Sequence, residues 1–295
     1  MATLVIGKTG QLAHALAPLL PGATFLGRDA LDLAMPVRDL PACVPPLSGV
    51  ILAAAYTAVD RAESEPGLAW RVNGEAVGEI ARLCAARGVP LIHASTDYVF
   101  SGKSRDGAPW APDDTPAPLN AYGESKLAGE RAIADSGARA AVLRTSWVFD
   151  GVGANFLSTM LRLGAGRDAV RVVADQWGRP TYAGHLARAC VAALRGLQAG
   201  HPGGTFHATS TGEPTTWAGF AQAIFQAAGM ATRVEPIPSS GYPTPAARPG
   251  WSVLDTSSFE DAFGLRLPSW REGLAAALAE RDGAERGASE QENHA

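Results

Sequence analysis

Tyr122 and Lys126 stand four residues apart in a segment with helical patterning. Residues at that spacing share one helical face, so the Lys126 ammonium can approach the Tyr122 phenol. A free phenol titrates near 10 and a neighbouring cation favours its ionised form, which would make Tyr122 a usable proton donor at neutral pH. With five tyrosines and three lysines in 295 residues, random placement gives about 0.05 such pairs. Arginine far outnumbers lysine here, yet its planar fork suits poorly a site where one compact cation meets both a phenol and sugar hydroxyls. The plain alternative is a tyrosine and a lysine exposed on a helix.

Ala94-Ser95-Thr96-Asp97-Tyr98-Val99-Phe100 closes an apolar run of strand length. In an open α/β sheet, ligands bind at the carboxyl ends of strands. Thr96 can donate to a ketone oxygen and Asp97 can accept from sugar hydroxyls, although Ser-Thr-Asp alone also fits a helix cap or turn. A second motif, Gly7-Lys8-Thr9-Gly10-Gln11-Leu12-Ala13, follows the opening strand and leads into a helix. Glycines there let the backbone approach a pyrophosphate at a helix N-terminus; Ala13 replaces the usual third glycine with another small residue. A glycine turn without a ligand is the alternative. After the second strand comes Gly27-Arg28-Asp29. Arg28 suits a 2′-phosphate and favours NADPH, whereas Asp29, one register away, would take a ribose hydroxyl and favour NADH.

The elements that must position these groups alternate along the chain. Strand-length apolar runs span Thr3 to Ile6, Thr24 to Leu26, Val50 to Ala54, Leu91 to Ser95, Ala141 to Leu143 and Val170 to Val173. Helical patterns cover Gln11 to Leu20, Trp70 to Arg87, Tyr122 to Ser136, Ala183 to Ala199, Trp217 to Ala228 and Ser269 to Ala279. This alternation predicts an α/β fold, a Rossmann-like doubly wound parallel sheet, with a smaller C-terminal substrate-binding lobe. The expected division is 1–175 for the dinucleotide domain and 176–281 mainly for the lobe, with some segments returning to the sheet. From Asp282 the polar tail to 295 reads as disordered.

At 46% hydrophobic, 18% charged and a formal charge of −4, the chain can bury a sizeable core but carries no basic footprint for nucleic acid. Cys43, Cys84 and Cys190 lack metal or disulfide spacing and read as small core residues of a reducing compartment. No apolar run is long enough for a membrane span, so the cytoplasm is the expected location. His93 and His207 lie in apolar stretches and read as core imidazoles; Trp177 and Trp217 read as closing the core.

The glycine loop, Thr96 and the Tyr122/Lys126 pair resemble the extended short-chain dehydrogenase/reductase family. Within it, Ala53-Ala54-Ala55-Tyr56-Thr57-Ala58-Val59-Asp60-Arg61-Ala62-Glu63, Ser95 to Phe100, Arg144-Thr145-Ser146-Trp147-Val148-Phe149, Asp175-Gln176-Trp177-Gly178-Arg179-Pro180-Thr181 and Arg248-Pro249 resemble the dTDP-4-dehydrorhamnose reductases, in order to about residue 270.

The resemblance implies Tyr122 as general acid, Lys126 as ribose ligand and tuner of Tyr122, and Thr96 as ligand of the ketone oxygen. It places Gly7, Lys8, Thr9, Gly10, Gln11 and Leu12 on the pyrophosphate, Asp32 and Leu33 near the adenosine, and Ala53, Ala54, Ala55, Tyr56, Thr57 and Ala94 beside the cofactor. Asp97, Trp147 and Arg248 would face the dTDP-sugar, with Arg248 on its diphosphate. The implied reaction is NADPH-dependent reduction of dTDP-4-dehydro-L-rhamnose, with NADH a weaker cofactor. A reductase of different stereochemistry, or a non-catalytic sugar-nucleotide-binding regulatory subunit, would share these residues. Some members form Mg²⁺-linked dimers through helix glutamates; this chain has Ala15 and Gly184 there, which predicts no metal site and a monomer or metal-independent dimer.

Overall fold

The computed structural model describes residues 2–40, 47–103 and 106–292, so Cys43 lies outside the described residues. Strands β1 (Ala2–Ile6), β2 (Thr24–Leu26), β3 (Leu47–Leu52), β4 (Leu91–Thr96) and β5 (Ala140–Thr145) form most of the central sheet. Between them run helices α1 (Gln11–Leu16), α2 (Val59–Ser64), α3 (Pro66–Trp70), α4 (Ala76–Ala86) and α5 (Ala121–Asp135). The remaining elements are β6 (Val148–Phe149), α6 (Phe156–Gly164), β7 (Ala169–Val173), β8 (Trp177–Gly178), β9 (Thr181–Tyr182) and α7 (Ala183–Gln198). They continue with β10 (Gly204–His207), β11 (Thr215–Thr216), α8 (Trp217–Ala227), β12 (Arg233–Ile237), α9 (Ser257–Phe263) and α10 (Trp270–Glu292).

The six-stranded sheet has the order β10-β5-β4-β3-β1-β2, and every pairing in it is parallel. Alternate side chains leave a strand on opposite faces, and both faces here are covered, which is why the strands read as continuous apolar runs. Leu4, Ile6, Val50, Leu52 and Leu91 pack under α4 and α5 with Val77, Ile80 and Ile133. Their neighbours Val5, Ile51 and Ile92 pack on the other face against α1, α7 and α9 through Leu12, Leu16, Leu186, Leu194 and Phe259.

A third core joins α6, β7, α8 and α10 through Leu157, Val170, Phe220, Ile224 and Leu274. Core membership therefore does not follow chain order across residue 175: α6 and β7 precede it yet build the smaller lobe, while α7 and β10 follow it and return to the sheet. The Val170–Val173 run pairs with β12 in the lobe, and the sixth strand of the main sheet is β10, beside β5.

Three further departures from the sequence expectation have local causes. The Trp70 to Arg87 helix is interrupted by a π-helical segment, Arg71–Glu75. The helix begun at Gln11 tightens to 3-10 geometry over Ala17–Leu19, with Pro18 in its first turn. Helix α10 runs through Asp282 to Glu292, where disorder was expected: Ala, Glu, Arg and Gln propagate a helix already nucleated by packing upstream, needing no apolar face of their own. Among the described residues no helix is long and apolar enough to cross a membrane. Cys84 and Cys190 are buried and unpaired, and burial pushes both thiols up to about 12, away from reactivity.

Candidate active site

Helix α5 is set against the end of β4 by its first turn. The Asn120 side chain accepts from Gly123 N–H at 2.8 Å and caps the helix, while its amide donates to the Ala247 carbonyl at 2.8 Å. A Cβ on Gly123 would fall 2.3 Å from the Tyr98 carbonyl, so only glycine permits this approach. The consequence is that Tyr122 meets the 3-10 turn Asp97–Val99 that follows β4. Tyr98 and Tyr122 touch edge to face, with ring centroids 5.5 Å apart. Thr96 accepts from Tyr98 N–H at 3.2 Å and donates to Asp97 Oδ1 at 3.1 Å.

Burial dominates the electrostatics of this corner. The Tyr122 phenol is pushed up to about 12, chiefly by burial and in opposition to the Thr96 hydroxyl. Here the structure corrects the sequence expectation that Lys126 favours the ionised phenol. The Lys126 ammonium instead donates to the Ala94 carbonyl at 2.7 Å and meets His93 Nε2 at 3.1 Å. Tyr122 is protonated at neutral pH, as an ordinary phenol is, and its burial makes it a weaker acid than a free one. Burial lowers Lys126 to about 8 against the opposing pull of Glu130. Burial also raises Asp97 to about 6, against hydrogen bonds from Ser252 and Thr96, and Asp97 Oδ2 has no partner. Beneath the site, Ser95 and Arg144 both donate to the buried Glu130 carboxylate, the guanidinium in bidentate fashion at 2.7 and 3.0 Å.

On the other side of β4 lies a cradle. Gly7 has φ +116°, and a Cβ there would fall 2.9 Å from Ala54 N. Its N–H donates to the Leu26 carbonyl at 2.9 Å, and the N–H groups of Ala53 and Ala54 both donate to the Ile6 carbonyl. Lys8, Thr9 and Gly10 are exposed, Leu12 is buried, and Gln11 Oε1 is a buried acceptor without a partner. Tyr56 and Asn73 exchange hydrogen bonds at 2.8 and 3.0 Å, which fixes Ala55, Tyr56 and Thr57 past the end of β3. Arg28 is 82% exposed past the end of β2 and lies 3.8 Å from Asp32, while Leu33 is core. The exposed loop ahead of α1 and the exposed, loosely paired Arg28 guanidinium fit the phosphates of a dinucleotide.

Trp147 has φ +50°, rare for a bulky residue, and stacks on Trp217 with centroids 3.6 Å apart. Arg248 Nη2 donates to Asp60 Oδ2 at 2.8 Å, and Nη1 is buried without a partner. Both charges act on Tyr98, so Arg248 belongs to the Tyr98/Tyr122 corner. Trp217 packs against the core of the smaller lobe, as expected, and Trp177 is 42% exposed rather than buried. His207 is core as expected: its Nδ1 meets the Asp255 carbonyl and burial pushes it down to about 3.

Residues 1–282 match the family model described as the RmlD substrate binding domain. The chain belongs to this family. It is 43% identical to a dTDP-4-dehydrorhamnose reductase of Burkholderia thailandensis over 96% of this chain and 99% of that one. It is 39% identical to a dTDP-4-dehydrorhamnose reductase of Escherichia coli K12, over 95% and 98%. Among solved structures, a dTDP-4-dehydrorhamnose reductase of Bacillus anthracis in complex with NADP superimposes with a TM-score of 0.85 and 32% identity, over 95% of this chain and all of that one. A UDP-glucose 4-epimerase of Thermus thermophilus with NAD shares the fold, at TM-score 0.76 and 23% identity.

Sequence reasoning gave no role to several residues that hold this candidate site together: Asp60, Asn73, Asn120, Glu130 and Ser252. Asn120 carried a signal, an asparagine directly before a helical pattern. Asp60 stands inside the Ala53–Glu63 block but was given no role there; Asn73, Glu130 and Ser252 act through partners elsewhere in the sequence and carried no signal. Among the described residues no cluster of three or more His, Cys, Asp or Glu side chains gathers as a metal site.

Proposed function

We propose that this RmlD-family chain reduces the 4-keto group of dTDP-4-dehydro-L-rhamnose with NADPH, giving dTDP-L-rhamnose. The observation that carries the reading is the meeting of Tyr122 with Thr96 and Asp97 at the carboxyl end of β4, in a chain 43% identical to such a reductase along its length.

In this reading Gly7 to Leu12 receive the cofactor pyrophosphate, Arg28 its 2′-phosphate, and Asp32, Leu33, Ala53 to Thr57 and Ala94 flank the rest. The reduced nicotinamide, when bound, supplies the hydride for C4 of the sugar. Thr96 turns its hydroxyl from Asp97 to the ketone oxygen and polarises it. Tyr122, protonated at neutral pH, gives its proton to the new alkoxide. Lys126 holds the nicotinamide ribose. Asp97, relieved of Thr96, accepts a sugar hydroxyl. Trp147 walls the sugar-nucleotide, and Arg248 exchanges its Asp60 contact for the diphosphate. We place the enzyme in the cytoplasm, as a monomer or metal-independent dimer, because Ala15 and Gly184 offer no metal ligand.

The experiment is NADPH oxidation, followed by absorbance, with the purified chain and the 4-keto sugar nucleotide, and NMR of the product. A C4-hydroxy sugar with rhamnose stereochemistry is the expected product. Binding without turnover, or the other C4 epimer, would overturn the assignment.

A further inference from the structure

His93 contributes nothing to the proposed chemistry as an acid or base, yet it is fully buried and in contact with Lys126. Strand alternation places it on the same face of β4 as Leu91, the face under α4 and α5. Its Nε2 lies 3.1 Å from Lys126 Nζ, while Nδ1 has no partner. An apolar ring would fill the same space without stranding a buried polar atom, so the Nε2 contact is what the imidazole adds.

We propose that His93 is a positioning residue for the reduction, its neutral Nε2 accepting a proton of the Lys126 ammonium so that His93 and the Ala94 carbonyl together fix that ammonium. The inference rests on the reading of Lys126 given above. An ammonium has three donors and no acceptor. The Ala94 carbonyl can only accept, so the 2.7 Å contact spends one proton of Nζ. A second goes to His93 Nε2, and one remains for a ligand. The side chain of Lys126 otherwise has four rotatable bonds with which to miss its target. Two anchors on one strand, three and two residues before Thr96, convert a flexible cation into a group held in register with the reacting atoms.

The charges around the pair fit this division. Glu130, four residues along α5, supports the ammonium and is itself held by Arg144 from β5. From β4, His93 is kept neutral by burial and by the adjacent cation. The π-helical segment packed on α5 contributes Asn73, which donates to Ser125 and does not titrate.

The test compares His93→Phe, which keeps a ring but no acceptor, with His93→Gln, which restores an acceptor oxygen. For each, the thermal midpoint, NADPH Kd by fluorescence and kcat as a function of pH are measured on the full chain. His93→Phe is expected to weaken NADPH and lower kcat by about tenfold or more each. The alkaline limb of kcat should move to lower pH, because an ammonium that loses an acceptor loses its proton more readily. His93→Gln should recover most of both losses. A His93→Phe protein within twofold of the parent in kcat and Kd, or a folded His93→Gln protein as impaired as His93→Phe, overturns the proposal. Should the Phe variant fail to fold, ¹⁵N NMR of the parent decides: the proposal requires the Nδ1–H tautomer with Nε2 bare, and an Nε2–H tautomer overturns it. A parent that binds NADPH but never turns over refutes the proposed function instead, and the Kd and NMR measurements still judge His93.

Discussion

Arg248 and Asp60 meet at 2.8 Å across 188 residues of chain. The second oxygen of the same carboxylate accepts from Ala246 N–H at 3.2 Å, so Asp60 holds both the guanidinium and the backbone that presents it. A diphosphate would compete for a guanidinium already oriented, with Nη1 still unspent. Arg248→Ala is expected to raise KM for the dTDP-sugar about tenfold or more while leaving the KM for NADPH nearly unchanged. Arg248→Lys should recover little, lacking the planar fork. Steady-state kinetics with each substrate varied in turn checks both; an unchanged sugar KM removes Arg248 from the diphosphate site.

Tyr122→Phe should lower kcat by about 10²-fold or more with NADPH binding intact, the usual loss for a positioned general acid. Tyr98→Phe is the control, because it keeps the ring packed on Tyr122 and removes a phenol with no lysine at helical spacing. Single-turnover measurements separate chemistry from product release. Near-normal chemistry in Tyr122→Phe would show that another group supplies the proton.

Arg28→Ala should reduce kcat/KM for NADPH more than for NADH, since the 82% exposed guanidinium is free to meet a 2′-phosphate that only NADPH carries. Equal losses with both cofactors would contradict a role for Arg28 at the 2′-phosphate.

Asp97 gives the reaction an acidic limb. Its carboxyl is raised to about 6, mainly by burial, so it is neutral below that pH and ionised above it. If the ionised form is the acceptor for a sugar hydroxyl, kcat/KM should fall as pH drops through about 6, and Asp97→Asn should abolish that limb along with much of the activity. The stability effect has the opposite sign. A folded carboxyl with a raised pKa contributes stability that is full below the unfolded value and lost as pH rises through about 6. Denaturant unfolding should accordingly show Asp97→Asn gaining on the parent over that interval.

Glu130 and Arg144 are a buried pair, with 6% and 5% of their side chains exposed. Removing one partner strands the other charge, so Glu130→Ala should cost about 3 kcal/mol or more. A thermal midpoint lowered by several degrees is the expected reading, and a change of under one degree would show that water reaches the pair.

What was legible in the sequence was local. Tyr122 and Lys126 announce themselves because four residues of helix bring them to one face, and the end of β4 is legible because an apolar run stops at Ser95-Thr96-Asp97. The parallel sheet follows from alternating apolar runs. The contacts that lie across long spans of chain left no such trace. His93 and Lys126 are 33 residues apart, and nothing in either neighbourhood marks the pair. The π-helical turn at Arg71–Glu75 hides inside an apolar pattern that also suits a plain helix. Strand β10 is four residues long, begins at a glycine and follows Pro202-Gly203, so it reads as a loop, whereas Val170–Val173 has the stronger apolar signal and pairs elsewhere.

The late arrival of β10 bears on how the molecule is made. During synthesis the ribosome delivers β1 to β5 well before Gly204, and until then one side of β5 is an open edge, with backbone donors and acceptors ready to pair with any extended segment. Helix α7, which seals that face of the sheet through Leu186, Leu194 and Leu197, also emerges after residue 175. A nascent chain stalled at that point carries a complete nucleotide-binding motif on an unfinished sheet, the condition under which chaperones are recruited and neighbouring chains stick together.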